Sequence, residues 1–276
     1  MQGIEELAHA KVNLFLRVLR RREDGFHEIK TLVAPISLYD SLEIEPANKL
    51  EFHCDESGLA GDDNLVVRAA RLFFPETNRE PKVRLTLRKE IPHGAGLGGG
   101  SSDAAAALRG LNRFFDARLS KEKLSKLAGQ LGSDVSFFLN ETAAICRERG
   151  EVVTPAALRE PLSLLLLKPE FGVPSSWAYS RWQATREVAG EIYRPQKFGD
   201  ITFVNDLERA VFEKFVFLAH LKMWLHKQSE VDAALMSGSG STIFAVLRDP
   251  GSADALIARA RDELDSQMWS CVCETI

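Results

Sequence analysis

Hydrophobic and polar positions alternate from Ala8 to Leu19. Val12, Leu14, Leu16 and Val18 fall on one face, and Lys11, Asn13, Phe15 and Arg17 fall on the other. A period of two predicts a half-buried strand. Arg20 to Gly25 reads as a turn, and strand-like stretches follow at Thr31–Ser37, Ser41–Glu45, Leu50–Cys54 and Val83–Arg88. Asn64–Phe74 reads as a helix with Pro75 near its end. A second helix is predicted from Ser102 to Phe115, where Leu108, Leu111 and Phe115 recur at helical spacing and alanines permit close approach to a sheet. Leu119–Leu131 is a third, with Ser120 as N-cap and Gly132 just past its end. Thr142–Arg147 reads as a strand.

Arg149 to Pro161 carries few structural commitments, so the chain is divided there into two domains, 1–155 and 156–276. The second half opens with Leu162–Leu167, a continuous apolar run suited to a strand buried on both faces. Helices are predicted at Ser175–Thr185, Asp206–Lys227 and Ser252–Asp265. Strands are predicted at Ala233–Met236, Thr242–Leu247 and Met268–Glu274. With one helix set aside, the order is β-α-β-β-α-β, the ferredoxin-like order, and the fold class is α+β.

Composition narrows the functional classes. The 276 residues are 45% hydrophobic and 27% charged, enough for a core without staples. A net charge of −4 implies no general affinity for nucleic acid. Cys54, Cys146, Cys271 and Cys273 have neither a disulfide framework nor zinc spacing. The start lacks an apolar signal core, and no apolar run is long enough to span a bilayer. The expectation is a cytoplasmic monomer or homodimer with no membrane partner.

The strongest chemical signal is Pro92-His93-Gly94-Ala95-Gly96-Leu97-Gly98-Gly99-Gly100-Ser101-Ser102-Asp103, with five glycines in seven positions before the alanine-rich helix. Glycines let the backbone approach a ligand closely, and a helix start offers unpaired N–H groups and the positive end of a dipole. The combination describes a phosphate cradle. It is not a Walker A loop, because no Gly-Lys-Ser/Thr follows. Lys11 lies on a predicted strand among apolar residues, where a solvent-facing edge lysine is the plain alternative. Asp134 follows Gly132 and is equally readable as a helix cap. Beside a phosphate cradle the two acquire a use: the carboxylate accepts a hydroxyl proton and the ammonium offsets charge on the transferring group. Ser237-Gly238-Ser239-Gly240-Ser241 is either a hairpin or a second wall of the site. Phe26, His27, Trp177 and Tyr179 are either packing aromatics or surfaces for a base.

These pieces, in this order, resemble the GHMP kinase superfamily of galacto-, homoserine, mevalonate and phosphomevalonate kinases. The glycine stretch is similar to its Pro-x-x-x-Gly-Leu-Gly-x-x-Ser-Ser motif. The Gly98-Gly99-Gly100 run resembles one branch, whose acceptor is a cytidylylated methylerythritol. Ala10-Lys11-Val12-Asn13-Leu14, Asp24-Gly25-Phe26-His27, Leu131-Gly132-Ser133-Asp134-Val135, Asn205-Asp206-Leu207-Glu208 and Met236-Ser237-Gly238-Ser239-Gly240 resemble that branch too. The resemblance implies a two-domain kinase that uses ATP and Mg²⁺ to phosphorylate the 2-hydroxyl of the methylerythritol moiety, in the non-mevalonate route to isoprenoids. It implies Lys11 and Asp134 as the catalytic pair. The ATP phosphates would lie on Pro92, Gly94, Ala95, Gly96, Leu97, Gly98, Gly99, Gly100, Ser101 and Ser102, with Ser102 helping to place Mg²⁺. Asn13, Phe26, His27, Gly238, Ser239, Gly240 and Ser241 would meet the substrate. Phe26 stands where the branch has tyrosine, Ser133 replaces alanine and Ser136 replaces proline. The alternatives are a GHMP kinase for homoserine or a mevalonate, or a silent nucleotide-binding protein.

Overall fold

Two long strands form the centre of the first sheet in the computed structural model, which describes residues 2–140, 142–183 and 192–276. β1 (Ile4–Arg21) and β2 (His27–Pro46) pair antiparallel over nearly their whole length. The stretches predicted as separate strands at Thr31–Ser37 and Ser41–Glu45 are one strand. Register shifts between His9 and Lys11, Asn13 and Phe15, and Val18 and Arg20 interrupt the alternation without ending the pairing. Such bulges re-aim side chains, and Lys11 sits beside the first of them.

The later half of β2 pairs with β4 (Val83–Arg88), which β3 (Glu51–Cys54) flanks in parallel. Its earlier half pairs with β5 (Ala144–Glu148), and β6 (Val152–Pro155) lies outside β5. Beyond β1 runs β9 (Ile201–Asn205), parallel at Phe15 and Leu16, with β8 (Gln196–Phe198) beside it. Helices α1 (Leu65–Thr77), α2 (Gly99–Phe114) and α3 (Lys121–Leu131) pack on this sheet, burying Leu42, Ile44, Phe73, Leu85, Leu108 and Leu111. Asn64 caps α1 and Ser120 caps α3, each accepting a backbone N–H from the first turn.

The second sheet is antiparallel, in the order β10 (Val231–Met236), β11 (Ile243–Leu247), β7 (Ser163–Lys168), β12 (Trp269–Glu274). This is the ferredoxin-like arrangement predicted from the element order. Helices α4 (Ser175–Arg181), α5 (Glu208–Lys214), α6 (Val216–His226) and α7 (Ala253–Glu263) accompany it. The single helix predicted over Asp206–Lys227 is two, separated at Phe215, whose ψ of 66° leaves the helical region. The helix predicted over Ser175–Thr185 is seen to Arg181, and Thr185 lies outside the described residues.

A third apolar cluster joins the sheets. Ala10, Val12 and Leu14 of β1 meet Leu164 and Leu166 of β7 and Leu235 and Phe244 of the second sheet. Leu165 and Leu167 point the other way, into the helix-covered core. β7 is therefore apolar on both faces because both are buried. With Ala10, Val12 and Leu14 committed to that seam, Lys11 and Asn13 project from the opposite face of β1.

Candidate active site

The glycine-rich stretch folds as a loop whose carbonyls are committed inward. Thr242 N–H donates to Ala95 O (3.1 Å), Lys11 N–H to Leu97 O (2.9 Å), and both Lys11 Nζ (2.7 Å) and Ser237 Oγ (2.9 Å) to Gly96 O. No amide from Gly94 to Gly98 donates to another protein group among the described residues. Gly94, Gly96 and Gly98 have φ of 65°, 75° and 75°, which glycine adopts at no steric cost. A Cβ on Gly98 would stand 2.7 Å from the Phe138 ring. α2 begins at Gly99, three residues earlier than predicted, with no side-chain cap. Its first N–H groups are thus left for a ligand, at the positive end of its dipole.

This loop forms one wall of a cavity of about 1080 Å³, at the upper end of small-molecule sites. Every residue from Pro92 to Ser101 lines it. Ser102 does not: its hydroxyl is buried and donates to His9 O (2.7 Å), so the hydroxyl on the cavity is that of Ser101. Gly238 and Ser239 line the same cavity, whereas Gly240 and Ser241 turn away. A Cβ on Gly240 would meet Met236 Sδ at 2.8 Å, and Ser241 Oγ donates to Phe171 O.

Lys11 and Asp134 both line the cavity, although 123 positions separate them. Lys11 Nζ is buried and donates to Asn13 Oδ1 (2.6 Å) as well as to Gly96 O. Burial lowers its pKa, and the negative charge of Asp134 opposes that fall. The two form no direct ion pair. Asp134 sits in the first turn of the 3-10 helix Ser133–Leu139, is exposed, and has no hydrogen-bond partner among the described residues. Its charge is felt by the Cys146 thiol, which burial pushes up to about 12, and by the Tyr179 phenol, also raised first by burial. An unpartnered carboxylate facing a buried ammonium across open space can accept a proton from something placed between them.

Asn13 Nδ2 donates to Thr31 Oγ1 (2.8 Å), which fixes the amide orientation that accepts from Lys11. At one end of the cavity the Arg22–Phe26 turn presents Phe26 and His27. Tyr179 stacks on His27 (centroids 5.5 Å, 28°), Trp182 meets it edge-on, and the Arg149 guanidinium lies 5.0 Å over the Phe26 ring. Burial and the nearby Arg21 lower the His27 pKa, favouring the neutral imidazole. The Trp177–Tyr179 ambiguity resolves: Tyr179 lines the cavity, while Trp177 packs against Phe215 beneath Lys214.

Beyond the glycine loop, Asn64, Lys89 and Asp103 complete the wall. Lys89 Nζ bridges Asp40 and Asp103, and Asp40 also accepts the N–H groups of Glu90 and Ile91. One Asp103 oxygen is buried without a partner. Burial, opposed by Lys89, pushes Asp103 up to about 8. Sequence reasoning missed this triad, and the signal available was a lysine and an aspartate flanking the glycines. At the start of the loop, Gly172 meets Gly94 main chain to main chain: a Cβ on Gly172 would lie 3.1 Å from Gly94 O.

Residues 64–142 match the model for the GHMP kinases N terminal domain, and residues 194–266 match that for GHMP kinases C terminal. The chain belongs to the GHMP kinase family. It is 40% identical to a 4-diphosphocytidyl-2-C-methyl-D-erythritol kinase of Methylacidiphilum infernorum, over 96% of this chain and 94% of that one. A 4-diphosphocytidyl-2-C-methyl-D-erythritol kinase of Thermodesulfovibrio yellowstonii is 35% identical over 88% and 89%. A crystal structure of a 4-(cytidine 5'-diphospho)-2C-methyl-D-erythritol kinase superposes with a TM-score of 0.80 at 36% identity, covering 98% of each chain. The homoserine kinase of Cytophaga hutchinsonii, 14% identical with a TM-score of 0.66, shares the fold.

Proposed function

We propose that this chain transfers the γ-phosphoryl group of ATP to the 2-hydroxyl of 4-diphosphocytidyl-2-C-methyl-D-erythritol, in isoprenoid precursor synthesis. One observation carries the reading: the head of α2, the Lys11 ammonium, the Asp134 carboxylate and the His27–Tyr179 ring pair all open on one cavity. The names of the relatives support the acceptor.

The amides of Gly94–Ser101 take the triphosphate. Phe26, His27 and Tyr179 take the cytosine, with Gly238 and Ser239 bordering the substrate phosphates. Asp134 accepts the hydroxyl proton as the new O–P bond forms and the bond from the γ-phosphorus to the departing ADP oxygen breaks. Lys11, held by two oxygen acceptors, offsets charge on the oxygens in flight. The Mg²⁺ that accompanies ATP would enter with the triphosphate. Ser101 and Asp134 offer it oxygens on the cavity wall, and when bound it neutralises charge on the phosphates. We place the nucleotide-side domain at 1–155 and the substrate-side domain at 156–276, with β8 and β9 crossing that line to pair beside β1. No helix among the described residues is long and apolar enough to cross a membrane. We assign the reaction to the cytoplasm instead on the chain's likeness to small-molecule metabolic kinases.

An ATP-consumption assay tests this. Turnover is expected with the cytidylylated methylerythritol and not with homoserine or mevalonate. Phosphorylation of only a non-cytidylyl alcohol, or ATP binding with no alcohol turned over, overturns the proposal.

A further inference from the structure

The Asn205–Glu208 segment lies outside the cavity, yet its side chains reach both β1, which carries Lys11, and the Met236–Gly238 backbone beside it. Asn205 is buried, and its Nδ2 donates to both Met236 O (2.8 Å) and Gly238 O (2.7 Å), while its Oδ1 accepts from Leu207 N–H (2.9 Å). Asp206 accepts from Val18 N–H (2.9 Å) and Arg17 Nη1 (2.8 Å), and its own N–H donates to Leu16 O (3.0 Å). Glu208 accepts from Met236 N–H (3.0 Å) and is locked to Lys222 (2.6 Å) in a fully buried pair. One short turn therefore fastens β1 on one side and the Met236–Gly238 backbone on the other.

What Asn205 holds is close to the proposed chemistry. A Cβ on Gly238 would lie 3.1 Å from Lys11 Nζ and 3.3 Å from Asn13 Oδ1 and from Gly96 O. Ser237, between the two carbonyls that Asn205 binds, donates to Gly96 O, the acceptor that Lys11 also uses. Displacing the Gly238 peptide displaces the surroundings of the ammonium and of the phosphate loop together.

We propose that Asn205 is a positioning residue for phosphoryl transfer: its two donated hydrogen bonds set the Gly238 peptide against Lys11 and Gly96. This rests on the reaction proposed above. Asn205→Asp keeps the shape but faces two carbonyls with acceptors in place of donors. Asn205→Ser keeps one donor.

A misplacement of ~1 Å can cost on the order of 10²-fold in rate, so kcat of Asn205→Asp is expected to fall by about 10–100-fold while KM for the alcohol moves by less than about threefold. Asn205→Ser should recover part of that loss, and circular dichroism should show both variants folded. A folded Asn205→Asp with wild-type kcat overturns the inference. If Asn205→Asp does not fold, Asn205→Ser decides: reduced kcat at an unchanged melting temperature supports the inference, and wild-type kcat overturns it. The wild-type chain is assayed first. If it does not turn over the cytidylylated substrate, the proposed reaction fails by itself, and calorimetric titration with a non-hydrolysable ATP analogue then decides the positioning role. Weaker binding by Asn205→Asp supports it, and unchanged binding overturns it.

Discussion

The two glycine–serine loops have similar compositions and opposite uses. The loop at Gly94–Ser101 turns its carbonyls into the protein and leaves its amides open. The loop at Ser237–Ser241 is buried throughout and is fastened by Asn205, Phe171 and Ser175. Each is backed by a buried lysine. Lys89 beneath the first is shared between two carboxylates, one with an unpartnered oxygen, whereas Lys222 behind the second has one carboxylate and no shortfall. The first is built to receive charge and the second to hold geometry.

Gly96 is where the loops interlock, and breaking it should have the largest effect. A Cβ there would lie 2.2 Å from Ser237 O, and its φ of +75° is left-handed. Conformation alone costs about 1–2 kcal/mol, and the overlap adds more. Gly96→Ala is expected to lose both melting stability and activity. Gly100→Ala meets nothing closer than 3.7 Å and should fold with an undiminished melting temperature, since alanine favours helix over glycine. Equal losses in the two variants would erase the distinction between interlocked and open glycines.

Removing the base should leave both loops intact. Asp134 is exposed and bonded to nothing, so Asp134→Ala should keep the wild-type melting temperature while kcat drops by about 10²–10⁴-fold, the usual worth of a general base. Near-normal turnover would sink the assignment.

The smallest expected effect separates the two lysine braces. Burial raises the pKa of Asp103 in the folded protein from 3.8 to about 8, against the pull of Lys89. Between those values the unfolded chain has released the proton and the folded chain has not, so the group's contribution to stability falls as pH rises. Asp103→Asn removes that slope. Its melting temperature should match wild type near pH 4 and exceed it near pH 8, by about 2–4 °C per kcal/mol recovered. A parallel pair of pH curves would show that Lys89 balances both carboxylates.

Much of this was legible in the chain. The β-α-β-β-α-β order gave the second sheet, because β7, β10 and β11 are short, mostly apolar runs with clear punctuation. Lys11 and Asp134 stood out as charges in apolar segments. The misses have physical causes. Glycine's poor helix propensity hid the first turn of α2. Bulges split the long pairing of β2 into two readings. β8 and β9 pair with each other at three positions and with β1 at only Phe15 and Leu16, too short a run for the pattern to show. Ser102, Gly240 and Ser241 carry motif-like identities, but which side of a loop faces a cavity is a property of the fold. The Lys89 triad and the role of Asn205 depend on partners from 14 to 49 and from 31 to 33 positions away, which spacing cannot show.

The bare contact between Gly94 and Gly172 makes the seam at the start of the phosphate loop a property of two peptides from opposite halves of the molecule. No rotamer can tune its width, and no longer residue can shim it. A chimaera assembled from this first half and another kinase's second half, with a larger residue at position 172, must therefore shift one of these peptides by a few tenths of an ångström, however well its sheets otherwise match.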